Sequence, residues 1–285
     1  MYVIGYLINV VAKCLDAVGS LFHALSRLLL QLLPAFLTPT RLNALTRARY
    51  DQWYVNTETQ LAVGAGLHSW ELDLLDRYNI RSGRMLVLGA GCGREAIALA
   101  RKGLAVVGVE INSHAIHAAS RLAGPAGVSA HFHHADFLRL PYKRASFDYL
   151  LLSSIMYSAL PGRSLRQKCL RDMLRVLKPS GLAILSFEAR HHPSSRLGRL
   201  RTRTTQALAG LRGANRAYQP GDACEARGHF IHTFQDESEI RTEFSEAEGT
   251  ILEVDWQRGF AILAVPPVPG TNLRTPVAEF QAEST

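Results

Sequence analysis

Apolar residues fill nearly every position from Tyr2 to Leu33, and the polar exceptions Asn9, Lys13, Asp16, Ser20, His23, Arg27 and Gln31 recur every three or four residues. At 100° per residue these exceptions share one arc about 80° wide. The pattern predicts a helix with a narrow polar stripe and a broad apolar face, ended by Pro34, whose ring and missing N–H interrupt helical bonding. A secretory leader is not expected, because no basic stretch precedes the apolar run and no small-residue cleavage site is evident. Three roles fit such a helix: lying in a membrane interface or against a partner, packing on its own domain, or spanning a bilayer. Lys13, Asp16 and Arg27 argue against spanning.

From Met85 the pattern changes. Short apolar runs at Met85 to Leu88, Ala105 to Val109, His131 to His134, Phe147 to Leu152 and Leu182 to Phe187 alternate with helical patterns at Glu95 to Arg101, Ser113 to Leu122 and Ser164 to Leu177. Strict alternation predicts a parallel sheet covered on both faces, a doubly wound, Rossmann-like α/β fold. Later runs at Phe230 to Phe234, Thr250 to Asp255 and Gly259 to Val265, with a helix opening at Asp236, complete the sheet. The last two are close enough for an antiparallel hairpin turned near Gln257.

These patterns divide the chain into an apolar N-terminal helix (1–39), a helical lead-in (40–82), a catalytic domain (83–265) and a proline-containing tail (266–285). The lead-in carries the aromatics Tyr50, Trp53 and Tyr54 and a helix from Ser69 towards Tyr78; two roles fit the aromatics, lining a substrate pocket or packing against the core, and packing is preferred. An insertion over 190–227 holds eight arginines and two acids.

Composition narrows the partners. With 32 Lys and Arg against 24 Asp and Glu, the net charge of +8 favours anionic surfaces, whether lipid headgroups, nucleic acid or phosphorylated substrates. Cys14, Cys92, Cys169 and Cys224 form no CxxC pair, so neither a zinc site nor a disulfide framework is expected, and a reducing cytosol is the simplest compartment.

The first run feeds Gly89-Ala90-Gly91-Cys92-Gly93 and then a helix. Ligands of open α/β sheets bind at such a junction, where glycines let a ligand approach the backbone and the helix N–H groups favour an anionic group. Gly91-x-Gly93-x-x-Ala96 also satisfies the dinucleotide fingerprint, and Glu110, seventeen residues beyond Gly93, suits the ribose hydroxyls of either cofactor.

Further motifs separate the two. Ala135-Asp136-Phe137 follows the third run, Phe147-Asp148-Tyr149 opens the fourth, and Leu174 to Gly181 ends a helix at a Pro-Gly turn before the fifth. In order and spacing this resembles the class I S-adenosylmethionine-dependent methyltransferases, well over residues 83–190 and loosely over 228–265. The resemblance implies S-adenosylmethionine as cofactor, with Gly89, Ala90, Gly91 and Gly93 near its methionine part and Glu110 and Ile111 at the ribose. Asp136 would accept from the adenine amino group with Phe137 beside the ring, and Ser153 and Ser154 would lie near the transferable methyl. One departure stands out: many family members carry an acid two positions before the first glycine, and here that residue is Val87. The methionine ammonium must find another partner or water.

A hydroxyl or phenol acceptor needs a general base. Tyr157, His191 and His232 are the candidates, with Glu188 and His229 beside them. His131, His133 and His134 lack a third metal ligand on one face, so no metal site is expected. Leu152 to Tyr157 holds neither the Asn/Asp-Pro-Pro-aromatic motif of nucleobase N-methylation nor a Pro-Cys nucleophile. Nucleic acid is therefore disfavoured, and a small-molecule or lipophilic acceptor is expected, with residues 2–33 making peripheral contact at the inner membrane surface. Rival readings are an RNA or protein methyltransferase using the arginine-rich insertion, a non-catalytic cofactor-binding protein of the same fold, and an NAD-dependent oxidoreductase. Oligomeric state is not legible.

Overall fold

In the computed structural model, which describes residues 2–55, 64, 66–192, 195–225 and 229–267, period-2 alternation along each strand sorts the core onto two faces. The strands are β1 (Arg84–Leu88), β2 (Ala105–Glu110), β3 (Ala130–His134), β4 (Phe147–Leu152), β5 (Leu177–Ser186), β6 (Asp222–Cys224), β7 (Phe230–His232), β8 (Thr250–Asp255) and β9 (Phe260–Ala264). Leu86, Leu88, Leu150, Leu152, Leu185 and Leu263 pack on one face. Their chain neighbours Met85, Val87, Leu151, Ile184 and Ile262 pack on the other. Both faces are dry, which is why these strands read as continuous apolar runs rather than alternating ones.

The order β3-β2-β1-β4-β5-β9-β8 is parallel from β3 to β5, and β9 inserts antiparallel between β5 and β8. Helices α4 (Arg94–Arg101), α5 (Ser113–Ala123), α6 (Arg163–Val176) and α8 (Glu237–Ser245) cover the sheet. This is the expected doubly wound fold with an antiparallel last hairpin. Before it come α1 (Tyr2–Phe36), α2 (Pro39–Val55) and α3 (Ser69–Arg77), and α7 (Arg196–Ala209) lies within the insertion.

Three expectations need correction. Pro34 does not end the first helix, which runs on to Phe36. The buried Asn215 donates from its side chain to Pro34 O (2.8 Å) and from its backbone to Ala35 O (2.7 Å), satisfying carbonyls that a helix end leaves exposed. Lys178 to Gly181 is not a turn before β5 but its first part: Leu177 already pairs with Phe147, and the register then shifts as Ser180 turns through a left-handed φ of 58°. Phe230 to Phe234 is not a strand of the main sheet; β7 pairs antiparallel with β6 in a separate two-stranded sheet. The tail from 268, Arg227 and the side chains of Trp53 and Tyr54 lie outside the described residues.

The N-terminal helix stands away from this body. Its last turns pack the half-buried Leu30 and Leu33, with the following Leu37, against the buried Leu42, Cys224 and Phe230. Every side chain from Ser20 to Leu29, in contrast, is exposed. Leu21 and Phe22 are 70% and 67% accessible, and Leu197 and Leu200 of the neighbouring α7 are 76% and 61%. Arg201 of α7 donates to Gln31 of α1 at 2.6 Å, tying the two helices together.

Candidate functional site

The glycine loop turns from β1 into α4 with Gly89, Gly91 and Gly93 all at left-handed φ (63°, 51° and 92°), a conformation that strains any residue with a Cβ. Ala90 N donates to Val109 O at 3.0 Å and Gly93 N to Ala90 O at 2.8 Å, which fixes the turn to β2. The glycines have separate tasks. A Cβ on Gly93 would come within 3.1–3.2 Å of Phe132, Ala119 and Ile97, so that position serves helix packing. A Cβ on Gly89 would meet only Met156 side-chain atoms, at 3.5 and 3.8 Å, so its backbone borders the cavity. Cys92 is buried against Ala115 and Ala118 as a small apolar filler.

Gly89, Glu110, Ile111, Asp136 and Phe137 line one cavity with Met156, Ala159 and Leu160. Glu110 is held there by backbone donors: Gly91 N at 3.0 Å on one oxygen, Ile111 N (2.8 Å) and Asn112 N (2.9 Å) on the other. Burial pushes its carboxyl up, and these three N–H groups oppose the shift. A carboxylate offers about four acceptor sites, so one stays available for a ribose hydroxyl.

Helix α2 roofs the cavity. Asn43, Thr46, Arg47 and Tyr50 line it, Arg47 donates to Asp136 Oδ2 at 2.6 Å, and the Tyr50 hydroxyl donates to Met156 Sδ at 3.6 Å. Burial, then the Glu110 and Glu225 charges, raise the Tyr50 phenol. Asp136 keeps its other oxygen on Leu138 N (2.9 Å). Beneath this roof the cavity is about 60 Å³, well under the roughly 300–1,000 Å³ of ligand sites. The donor set fits S-adenosylmethionine: a glycine at the wall, a ribose carboxylate, an adenine-side carboxylate and apolar walls. Arg47 occupies the Asp136 oxygen that an adenine amino group would use.

At the loop's other side lies a buried polar cluster. Val87 itself packs in the core. Glu71 of α3, 4% accessible, accepts from Ser153 Oγ at 2.5 Å, and Arg94 lies 3.3 Å from its other oxygen. Arg94 also pairs with the buried Glu95 and donates to Gly66 O at 2.7 Å. Burial raises the Glu95 carboxyl, with Arg94 opposing. The next residues, Ser154 and Ile155, adopt left-handed φ of 55° and 52°, and Ile155 N is held by Ser186 Oγ at 2.7 Å. Strain of this kind, of order 1–3 kcal/mol per residue, persists where surroundings enforce it. Here it brings the chain back so that Met156 reaches Gly89.

The three acid–base candidates sit in different settings. Tyr157 is fully buried and donates its hydroxyl to Glu243 at 2.6 Å. His232 is fully buried too, with Nδ1 2.7 Å from Asp222 and Nε2 3.2 Å from Glu239. Both are committed to a network around the buried Arg166, whose guanidinium grips Glu243 with two bonds of 2.8 Å. Neither presents an atom to an acceptor. His191 is exposed beyond the end of β5, close enough to Glu188 to oppose the burial that raises that carboxyl. His133 bonds the Tyr142 hydroxyl and His134 the Ile111 carbonyl, both at 2.7 Å. Among the described residues no group of three His, Cys, Asp or Glu could hold a metal.

The sequence does not single out Arg47 or Glu71 for the site, and Tyr50, for which core packing is preferred over lining a pocket, lines the cavity. Nothing local marks Arg47 as a partner of Asp136, 89 positions away. Glu71 left a signal only as the third helical residue after the cap His68, whose backbone N donates to it at 2.7 Å.

Residues 85–181 match the profile of a family described as a methyltransferase domain. A methyltransferase of Mycobacterium sp. strain KMS is 34% identical over 133 residues, 46% of this chain and 48% of that protein. One from Mycobacterium marinum is 36% identical over 109 residues, 37% and 40% of the two chains. The chain thus spans about half the length of the curated relatives it matches. Among solved structures, an S-adenosylmethionine-dependent methyltransferase from Methanosarcina mazei superposes with a TM-score of 0.54 at 22% identity, covering 71% of this chain and all of that one. A Burkholderia thailandensis 1,6-didemethyltoxoflavin-N1-methyltransferase bound to S-adenosylhomocysteine gives 0.57 at 16% identity, covering 81% and 91%.

Proposed function

We propose that the chain, whose residues 85–181 match a methyltransferase-domain family, is a class I S-adenosylmethionine-dependent methyltransferase that moves a methyl group to a small-molecule or lipophilic acceptor at a membrane surface. The observation that carries the reading is the convergence of Gly89, Glu110, Ile111, Asp136 and Phe137 on one cavity. The cofactor, when bound, supplies a methyl already activated on a sulfonium.

The protein's task is then alignment. Gly89 gives the methionine side room, Glu110 fixes the ribose, and Asp136 takes the adenine amino group once Arg47 releases it. Orienting the acceptor in line with the methyl–sulfur bond contributes on the order of 7–11 kcal/mol. Met156, Ala159 and Leu160 keep water from the reacting centre and suit an apolar acceptor better than a charged one. Of the titratable groups near the strand ends, His191 and Glu188 are accessible to take a proton from a hydroxyl acceptor.

The membrane side of the reading is supported by α1 and α7. Of the exposed large apolar side chains, Val18, Leu21, Phe22, Leu25, Leu28, Leu29 and Phe36 belong to α1, and Leu197 and Leu200 to α7. Arg196, Arg199, Arg201 and Arg203 stand among the α7 leucines with no acid in that helix. Apolar burial plus cationic attraction is what an anionic bilayer surface rewards. Two copies meeting through this face would oppose arginine to arginine. The polar stripe of α1, with Lys13, Asp16 and Arg27, suits a helix lying in the interface rather than crossing it.

The experiment is incubation of the full-length protein with labelled S-adenosylmethionine and fractionated extracts. Label entering the lipid-soluble or small-molecule fraction is the expected result. Label confined to RNA or protein would transfer the assignment to those acceptors.

A further inference from the structure

Part of the chain's positive charge gathers where methyl transfer does not use it. Lys168, Arg171 and Arg175 follow one another on α6 at spacings of three and four, which stacks them on one helix face. With Arg139 and Arg144, from the link between β3 and β4, they line an open groove of about 780 Å³. A clamp joins the two walls. Arg175 pairs with Asp172 at 2.7 Å and donates to Tyr142 O (2.7 Å) and Leu140 O (3.1 Å), while Asp172 accepts from Leu140 N at 2.9 Å. That clamp commits Arg175 and Asp172 to each other. The side chains of Arg139, Arg144, Lys168 and Arg171 are exposed and, among the described residues, make no hydrogen bond or ion pair. Like charges on successive turns repel, so this face of α6 is stabilised when an anion enters. We propose that the groove binds a soluble organic diphosphate.

Charge, shape and position each narrow the occupant. Glu248 is the one lining acid outside the clamp, which leaves a surplus of three positive charges over the four cations it faces. A phosphate monoester carries only about −1.5 to −2, so a diphosphate matches the surplus better. Three of the four cations are guanidiniums, whose planar forks suit phosphate oxygens. The half-buried Leu138, Leu174 and Val265 give the groove an apolar side for the ligand's organic part. Its volume lies within the roughly 300–1,000 Å³ of small-ligand sites. Leu138 lines both the groove and the cofactor cavity, and its N–H donates to Asp136, so the two spaces meet at the Asp136 end. Neither Gly89 nor Met156 lines the groove. The occupant is therefore a second ligand, separate from the methyl acceptor, and its binding does not rest on which cofactor fills the cavity.

The test is calorimetric titration of the full-length protein with uridine diphosphate at about 0.15 M salt, on wild type, on Arg139→Gln with Arg171→Gln, and on Arg101→Gln with Lys102→Gln. The last pair removes the same charge from exposed positions outside the groove. Wild type should bind uridine diphosphate and not uridine, the groove variant should lose at least tenfold in affinity, and the control variant should bind as wild type does. Saturating S-adenosylhomocysteine should leave the affinity unchanged. Equal loss in the two variants would mean diffuse attraction to net charge, and displacement by S-adenosylhomocysteine would put the diphosphate in the cofactor cavity; either overturns the proposal. So would wild type that leaves millimolar uridine diphosphate unbound, or that binds decauridylate at least tenfold more tightly, which would make the groove part of a nucleic-acid track.

Discussion

The sheet domain and the α1–α7 arm use apolar residues for opposite purposes. In β1, β4, β5 and β9 every second side chain belongs to one of two buried faces, and the runs are apolar because both faces are covered. In α1 the same density of leucine and valine leaves Ser20 to Leu29 exposed on all sides. Hydrophobicity alone therefore does not report burial; the number of covering layers does. One region uses its apolar surface for stability and the other leaves it facing solvent.

That contrast breaks most decisively in the interior. Replacing Arg166 by Leu leaves Glu243 charged in a site where both side chains are 0–1% accessible. Loss of one member of such a pair costs about 3–5 kcal/mol. Urea unfolding of the variant should show that loss, and a change under 1 kcal/mol would mean the network is not structural.

A smaller effect is expected from pH. Burial lowers the His232 pKa, but hydrogen bonds to Asp222 and Glu239 outweigh it, so the folded value lies above 6.5. The stabilisation is thus fully present below about pH 6.5 and is lost as pH rises through the raised folded value. His232→Gln should flatten that alkaline decline in thermal melts. A decline of equal slope in both proteins would exclude His232 as its source.

On the arm, Leu21→Glu with Leu25→Glu should leave unfolding free energy within about 0.5 kcal/mol, because both side chains already face solvent. Co-sedimentation with anionic vesicles should nevertheless fall at least tenfold. Unchanged partitioning, or equal partitioning of the native protein onto neutral vesicles, would deny the arm its proposed role.

The same contrast explains what was legible in the sequence. β1, β2, β4 and β5 were readable because strands buried on both faces leave apolar runs punctuated by helical patterns, whereas β3 carries no buried residue and was readable only from its place in the alternation. The Gly89–Gly93 turn, Glu110 and Asp136-Phe137 were readable because topology fixes their positions at strand ends. Pro34 misled because its consequence depends on Asn215, 181 residues away. Tyr157 and His232 were considered for proton transfer because residue type says nothing of enclosure, and Phe230 to Phe234 was put in the main sheet because a run does not name its pairing partner. Arg47 and Glu71 were invisible for a related reason: each acquires its meaning from a carboxylate or hydroxyl brought to it by the fold.

The central claim is a site built for S-adenosylmethionine rather than a nicotinamide cofactor, and thermal melting of the full-length protein with each ligand tests it most directly. At a hundredfold excess over its dissociation constant, S-adenosylhomocysteine should stabilise the protein by about 2.7 kcal/mol, raising the melting temperature by roughly 5–10 °C, while NAD leaves it unmoved. No shift with S-adenosylhomocysteine, or a matching shift with NAD, would contradict the account.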